Sequence, residues 1–137
     1  MNMADVHKFI RSALETQLAN VAGNPQIAYE GVSFVPTTGT SYLQVVFDPV
    51  SRRPAVRGLN PQQRYDGIFL VNCYAPEGHG PAVADTLAKN VIDAFEATTS
   101  LTSNNINVSI DYAERRQGLL DSPWYFVPVI ITWYAYT

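Results

Sequence analysis

Residues 65–95 read YDGIFLVNCYAPEGHGPAVADTLAKNVIDAF and join two hydrophobic patterns of different period. Residues 65–75 are apolar on both faces of an extended chain, which predicts a long strand at the centre of a sheet. Residues 76–81 contain the glycines and prolines of a turn, and Pro81 suits the first turn of a helix. Apolar residues then recur every four positions, at Val83, Leu87, Val91 and Phe95. This region therefore predicts a buried central strand followed by an amphipathic helix.

The flanking segments complete an order of helix, three strands, helix and two strands. Apolar residues from Val6 to Leu18 recur with helical spacing, which predicts a first amphipathic helix. Extended apolar runs predict the other strands at residues 26–35, 42–48, 106–112 and 124–136. Pro128 places the last strand at a sheet edge or at a bulge. Because both helices must bury an apolar stripe, we predict an α+β fold of about five mostly antiparallel strands with two helices on one face.

Length and composition limit the classes of protein to which the chain can belong. With 137 residues, 47% of them hydrophobic, the chain fits a single domain over residues 1–137 with a core of its own. The net charge of −3 argues against a general nucleic-acid binder or a basic membrane-surface protein. The N-terminus has no signal-peptide pattern and no apolar run reaches the ~20 residues of a membrane span, so we expect a soluble protein without a membrane partner. Cys73 is the only cysteine, which excludes an intrachain disulfide and a cysteine-based zinc site and agrees with synthesis in a reducing compartment.

Few side chains are candidates for catalysis. His7 and His79 are the only histidines, and nothing in their spacing suggests a Ser or Cys nucleophile beside either of them. Cys73 lies in a predicted strand, which favours a small buried residue over a reactive thiol. The tripeptide 78–80 (GHG) precedes a helix as an anion-binding turn would, but it lacks the Lys-Ser/Thr of a P-loop, so a plain connection is favoured. The acids show no metal-ligand spacing, and we expect no enzymatic activity, no cofactor and no metal.

Residues 49–64 (PVSRRPAVRGLNPQQR) differ in composition from the rest of the chain. They contain three prolines and no acid, and they predict a long exposed loop between two strands. The four arginines of this loop are Arg52, Arg53, Arg57 and Arg64. The loop contributes a charge of +4, so the rest of the chain carries −7. Three interpretations stay open: a solvated loop, a contact arm for acidic surface on a partner or another copy, and, more weakly, direct contact with DNA.

Strand alternation divides the C-terminal residues between two faces. In residues 106–112 this alternation predicts that four side chains point inward, those of Ile106, Val108, Ile110 and Tyr112. In residues 124–136, one face carries Trp124, Phe126, Ile130, Tyr134 and Tyr136, and the other Tyr125, Val127, Val129, Ile131 and Trp133. Only one face can meet the helices, so the other must meet a second layer, a neighbouring subunit or water. We favour a subunit interface, with Trp133 and Tyr134 as candidate apolar contacts.

Several local strings are typical of one known group of proteins. They are residues 34–36 (FVP) after the first helix, 42–43 (YL), 65–76 (YDGIFLVNCYAP), 78–80 (GHG), 94–95 (AF) and 124–131 (WYFVPVII). With these strings the chain resembles the small tail terminator proteins of long-tailed bacteriophages. The resemblance covers nearly the whole chain, and its motifs are packing and turn residues rather than a catalytic signature.

The resemblance implies a curved antiparallel sheet covered by two helices, and assembly into a six-membered ring. Such a ring caps the tail tube, stops the addition of tube protein and offers its other face to the head–tail connector protein. The implied partners are further copies of the chain, the tail tube protein and the connector, with DNA at most passing through the ring lumen. The implied location is the head-proximal end of the virion tail, after synthesis in the host bacterial cytoplasm.

Two other functions stay open beside the tail terminator. The first is a head-closure or connector protein of the same phage apparatus. The second, from a different class, is a small ligand-binding or enzymatic α+β domain, which a pocket with convergent polar groups would favour. If the chain is a tail terminator, the charge and length of the arginine loop suggest that it contacts the tube, the lumen or the adjacent subunit.

Overall fold

Two helices and seven strands occur in the part of the chain that the structure describes. The structure is a computed structural model and describes residues 2–37, 39–54, 63–78, 80–96 and 100–136. The helices are α1 (Met3–Leu18) and α2 (Ala82–Glu96). The strands are β1 (Gln26–Ala28), β2 (Tyr42–Pro54), β3 (Gln63–Pro76), β4 (Ser100–Ser103), β5 (Ile106–Arg115), β6 (Leu119–Asp121) and β7 (Trp124–Tyr136).

The strands form one sheet in the order β1-β2-β3-β7-β5-β4, with β6 paired to the start of β7. β1 runs parallel to β2, and the other pairs are antiparallel. The α+β class with two helices is therefore confirmed, whereas the sheet is mixed and has more than the expected five or so strands. The additional strands β4 and β6 have only four and three residues, too few to show an alternating pattern in the sequence.

Helix α1 begins at a side-chain cap and buries one stripe. The side-chain oxygen of Asn2 accepts a hydrogen bond from the backbone N–H of Asp5 at 2.8 Å, which satisfies a donor that the helix itself leaves free. The buried residues of the helix are Val6, Ile10, Ala13, Leu14 and Leu18. Within the described residues, neither helix is long and apolar enough to cross a membrane.

The core lies between the helices and one face of the sheet. Helix α2 packs on β3, β5 and β7, and α1 packs on β4, β5 and α2. In β3 and β7 the buried residues alternate along the strand, among them Phe69, Val71, Cys73, Val127, Val129, Ile131 and Trp133. The prediction that residues 65–75 form a central strand is confirmed, because β3 lies between β2 and β7.

Pro128 lies inside the sheet rather than at its edge, because β7 is flanked by β3 and β5. Pairing with β5 ends at Val129, and the N–H of Arg116 donates to the carbonyl of Pro128 at 2.8 Å. Pairing with β6 begins at Phe126. Pro128 therefore lies at the junction where the partner of β7 changes from β5 to β6. Because no regular strand pairing occurs on that side of Pro128, its lack of an N–H costs the sheet no hydrogen bond there.

The predicted loop over residues 49–64 is wrong at both ends. β2 continues to Pro54 and β3 begins at Gln63, so only residues 55–62 separate the two strands, and these residues, with Arg57, lie outside the described part of the chain. The sequence does not predict the end of β2, because Ser51, Arg52 and Arg53 are consecutive exposed polar residues and no apolar alternation marks them.

Bulges set the direction of side chains at two positions. The register of β2 against β3 shifts between Pro49 and Ser51, and that of β5 against β7 shifts between Ile110 and Tyr112. As a result Tyr112 is 51% exposed, and the prediction that it points inward is wrong. Ile106 and Val108, which precede the bulge, are buried as predicted. An extra residue in one strand reverses the faces of everything after it.

Cys73 offers a simple test of the core. Its side chain is fully buried in β3, as predicted, and burial raises the pKa of the thiol to about 12. Because the thiolate is the reactive form, we expect an aromatic disulfide reagent at pH 8 to leave the native chain unmodified and to label the chain rapidly in guanidinium chloride. Equal labelling rates in the two conditions would contradict this placement.

Candidate protein-protein interface

The helices cover only one face of the sheet. On the opposite face, which we call the outer face, no helix of the described chain is present. The outer face is formed by the even-numbered residues of β3 and β7, which alternate with the buried ones. Antiparallel register sets these residues side by side, from Arg64 opposite Tyr136 to Pro76 opposite Trp124. Three regions of different chemistry follow one another along the strands.

The first region is an aromatic cluster where β3 ends and β7 begins. The ring of Tyr74 lies between Tyr42, at a centroid distance of 4.7 Å, and Phe126, at 4.8 Å. Phe34 packs on Tyr42 at 5.1 Å, and Trp124 meets Tyr42 edge-on at 5.2 Å. Burial is the main cause that raises the pKa of both tyrosine hydroxyls. The chain's own rings therefore cover this end of the outer face.

The second region, which we call the apolar centre, consists of Val46, Ile68, Leu70 and Ile130. Register places Leu70 between Val46 and Ile130 on neighbouring strands. All four side chains are half-buried, and none belongs to either hydrophobic cluster of the described residues. Burying apolar surface of this kind contributes about 25 cal/mol per Å², so the apolar centre favours association with another surface.

The third region lies where β3 begins, and we call this end of the sheet, with Arg52, Arg53, Arg64 and the carboxylate of Asp66, the arginine end. Arg53, Arg64 and Asp66 lie on the outer face, whereas Arg52 lies opposite the buried Tyr65 on the helix side. Nε and Nη2 of Arg64 each lie 2.9 Å from Oδ1 of Asp66. Arg53 approaches the same carboxylate at 3.7 Å, whereas Arg52 forms no salt bridge with any described residue. Two guanidinium groups, those of Arg53 and Arg64, therefore share one carboxylate. With Arg52 on the helix side, the four charged groups leave a net charge of +2 at this end of the sheet.

Arg64 is also held by the aromatic residues at the end of β7. Its Nη1 donates a hydrogen bond to the hydroxyl of Tyr136 at 2.8 Å, and the guanidinium stacks over the ring of Tyr134 at 4.6 Å. Its hydrogen bonds, first with Asp66 and then with Tyr136, raise the pKa of Arg64. The side chain of Arg64 is therefore held in place by Asp66, Tyr134 and Tyr136, while Arg52 and Arg53 remain exposed and available to a partner.

The predicted interface residues thus fall into three groups. Arg53 and Arg64 lie opposite each other on two paired strands instead of one loop, and Arg52 lies at the same end of the sheet but on its helix side. Tyr134 lies on the outer face beneath Arg64, and its role as a contact stays a prediction. Trp133 is corrected: it is 1% exposed and lies in the core, so it is not available as a surface contact of the folded domain.

The packing of Trp133 explains its position. Its indole stacks on the ring of Phe47 with the centroids 5.4 Å apart, on the helix side of the sheet. The indole N–H is buried and has no hydrogen-bond partner among the described residues. Gly67 lies opposite Trp133 in β3 and leaves room for the indole.

The sequence interpretation missed Asp66 and the apolar centre. Asp66 alternates with buried neighbours in β3, but its pairing with Arg53 depends on the bulge in β2, which the sequence does not reveal. A signal for the apolar centre was present, because Ile68 and Leu70 make residues 65–75 apolar on both faces. That pattern predicts burial on both faces, whereas no described helix covers the face of Ile68 and Leu70.

A groove of about 850 Å³ runs between the exposed side of α1 and residues 29–32. His7 lines it, and burial together with the charges of Arg11 and Arg52 lowers the pKa of its imidazole. In the described residues, His7 forms no hydrogen bond with a hydroxyl, thiol or carboxylate, and no three His, Cys, Asp or Glu side chains are placed to hold a metal. Within the described residues, the groove therefore shows no catalytic dyad.

The model of a family described as phage tail terminator protein matches residues 9–133. The chain belongs to the phage tail terminator family. This confirms the resemblance seen in the sequence, and it makes the chain a structural protein of a phage tail. No curated protein matches the sequence significantly.

Two solved structures share the fold of this tail terminator chain. One has a TM-score of 0.76 at 20% identity, with 99% of this chain and 97% of the other covered. The second comes from the virion of a native gene transfer agent particle and has a TM-score of 0.65 at 14% identity, covering 96% of this chain and 98% of its own. At these identities, the likeness shows that the fold described above extends to both chains.

Proposed function

We propose that this tail terminator closes the head-proximal end of a tail tube as a ring of six copies. Docked there, the ring stops the addition of tube subunits and offers its other side to the head–tail connector protein. Family membership supports a structural role in the tail. The observation that carries the assembly step is the apolar centre around Leu70, on a sheet face that no described helix covers.

The proposed mechanism is steric and requires no chemical step. A subunit that docks on the tube buries apolar side chains, and their removal from water favours the docked state. Head-to-tail contacts close into a ring when the rotation between neighbours divides a full turn evenly, and no free contact then remains for a further copy. Tube growth stops because the position of the next tube subunit is occupied. With a net charge of −3, DNA at most passes through the ring without binding tightly.

The mass of the assembly and its action on tubes test the proposal together. From the subunit mass of 15.2 kDa, light scattering should find a species near ~91 kDa, either in solution or after release from tube ends. Pre-incubation of tail tubes with the protein should prevent their further extension by tube protein. A stable dimer, or a protein that leaves tube extension unchanged, would contradict the proposal. Binding to the connector but not to the tube would indicate a head-closure protein instead.

The double variant Arg52→Glu/Arg53→Glu should lose tube capping while it keeps its fold. Both side chains are exposed. Among the described residues, the only salt bridge lost is the 3.7 Å pair of Arg53 with Asp66, whose surface position makes it worth about 0.5 kcal/mol. Asp66 retains Arg64 as its partner. Circular dichroism should therefore match wild type, and the concentration needed for capping should rise at least about tenfold because attraction at the contact becomes repulsion.

The matched control is Lys8→Glu/Lys89→Glu. It shifts the net charge by the same amount, but both lysines lie on the helices rather than at the arginine end. We expect the control to cap tubes like wild type. If both double variants fail equally, net charge rather than the arginine end governs docking, and the contact proposed for these arginines is wrong.

A further inference from the structure

The two ends of the sheet carry opposite charge. The arginine end, with its net charge of +2, lies where β3 begins. At the other end, Glu77 follows β3 and Asp121 ends β6, and we call these two residues the acidic end. Arg64 and Glu77 belong to one extended stretch of chain, so the two ends are separated by roughly 40 Å at the rise of a strand. The molecule is therefore polarised along its strands.

The acidic end is built by two turns that are tied together. The N–H of Glu77 donates to the carbonyl of Pro123 at 2.9 Å, and the hydroxyl of Ser122 donates to the carboxylate of Glu77. Asp121 is exposed beside this turn. Neither carboxylate forms a salt bridge with a described residue. Two negative charges are thus held in place with no cation beside them in the described part of the chain.

Exposed apolar groups accompany both charged ends. Leu119 and Leu120, in the strand that ends at Asp121, are 52% and 67% exposed. Tyr136, beside Arg64, is 38% exposed. Apolar contact area bordered by complementary charge is the composition expected of a specific protein interface.

We propose that neighbouring copies in the ring meet end to end, with the arginine end of one against the acidic end of the next. The proposal rests on the ring proposed above and names its subunit contact. Among the described residues, Arg52 has no salt-bridge partner and Arg53 shares Asp66 with Arg64, while the carboxylates of Glu77 and Asp121 form no salt bridge, so each end offers the charge that the other lacks. Because the two patches differ and lie at opposite ends, the contact is heterologous and only a closed ring uses every patch. The apolar centre of the outer face then stays free for the tail tube.

Disulfide trapping tests this contact directly. The variant Arg53→Cys/Asp121→Cys, oxidised gently at assembly concentration, should give a ladder of covalent oligomers of up to six chains on a non-reducing gel. Cys73 can stay in place because it is fully buried. The control Arg53→Cys/Lys89→Cys should give no ladder. Dimers from the single variant Arg53→Cys would show that like ends meet, and they would overturn the proposal.

Charge exchange provides a second readout that does not depend on cysteines. Arg52→Glu/Arg53→Glu and Glu77→Arg/Asp121→Arg should each raise the concentration for ring assembly at least about tenfold, and combining all four changes in one chain should restore the ring. Failure of the combined variant while each parent is folded by circular dichroism would overturn the proposal. If Glu77→Arg disturbs the turn that contains Glu77, the single variants Asp121→Arg and Arg53→Glu and their combination test the same charge exchange.

The outcomes separate this contact from the proposed function. A wild-type ring that caps tubes but gives neither the ladder nor the charge rescue overturns the end-to-end contact and leaves capping intact. A wild-type protein that neither forms a ring nor caps tubes overturns both.

Discussion

Replacing Gly67 with alanine is expected to destabilise the folded chain by about 3 kcal/mol, the upper end of the usual range for overpacking a core. A Cβ at this position would lie 2.5 Å from Cζ2 of Trp133 and 2.6 Å from the carbonyl oxygen of Asp48, far inside the ~3.5–4.0 Å of a favourable contact. The indole is buried against Phe47 and the oxygen belongs to the backbone of β2, so neither can move aside at small cost. Urea unfolding monitored by tryptophan fluorescence measures the loss.

Two further variants locate the strain. Gly118→Ala is the matched control, because the added Cβ would meet the hydroxyl end of Tyr125, a side chain that can turn aside, and we expect a loss of about 1 kcal/mol or less. Trp133→Phe lacks the outer indole ring and should return part of the stability of Gly67→Ala in a double-mutant cycle. Wild-type stability for Gly67→Ala, or no coupling between residues 67 and 133, would contradict the packing described here.

Replacing Leu70 with lysine is expected to abolish tube capping without unfolding the chain. Leu70 lies at the middle of the apolar centre, between Val46 and Ile130. The aliphatic stem of lysine can cover these neighbours and keep its ammonium group in water, so the fold should persist. In a docked complex that ammonium group would be buried without a partner, at a cost of several kcal/mol, so capping should need at least about 100-fold more protein. A titration of tube extension against protein concentration measures the shift.

The matched control for this variant is Val83→Lys. Val83 is also a partly exposed aliphatic residue, at 40% exposure, but it lies on α2 on the helix side of the sheet. We expect Val83→Lys to cap tubes like wild type. Normal capping by Leu70→Lys would show that the outer face does not meet the tube and would remove the observation on which the proposed docking rests.

Most of the fold could be predicted wherever a segment was long enough to show its period. Residues 65–75 predicted a central strand, and β3 is that strand. Two stripes of helical period predicted α1 and α2. Strands β4 and β6 could not be found in this way, because three or four residues place at most two side chains on a face. Their existence depends on the longer strands beside which they lie.

The candidate site was predictable by charge but not by geometry. Arg52, Arg53 and Arg64 stand out in a segment without acids, and the structure brings them to one end of the sheet. The carboxylate that pairs with Arg53 and Arg64 belongs to Asp66, and only the register between β2 and β3, shifted by a bulge, brings it next to Arg53. Hydrogen bonding across strands is non-local, so sequence spacing carries no information about it.

The sequence by itself determined which residues of β7 share a face, because successive side chains of a strand point to opposite sides. Val127 and Trp133 lie on one face and Ile130 and Tyr134 on the other, as the alternation requires. It could not determine which face the helices cover, because both faces are apolar and aromatic. Only the tertiary structure decided that, by packing α2 on the odd-numbered residues. This choice buries Trp133 in the core and leaves Tyr134 and the apolar centre on the outer face.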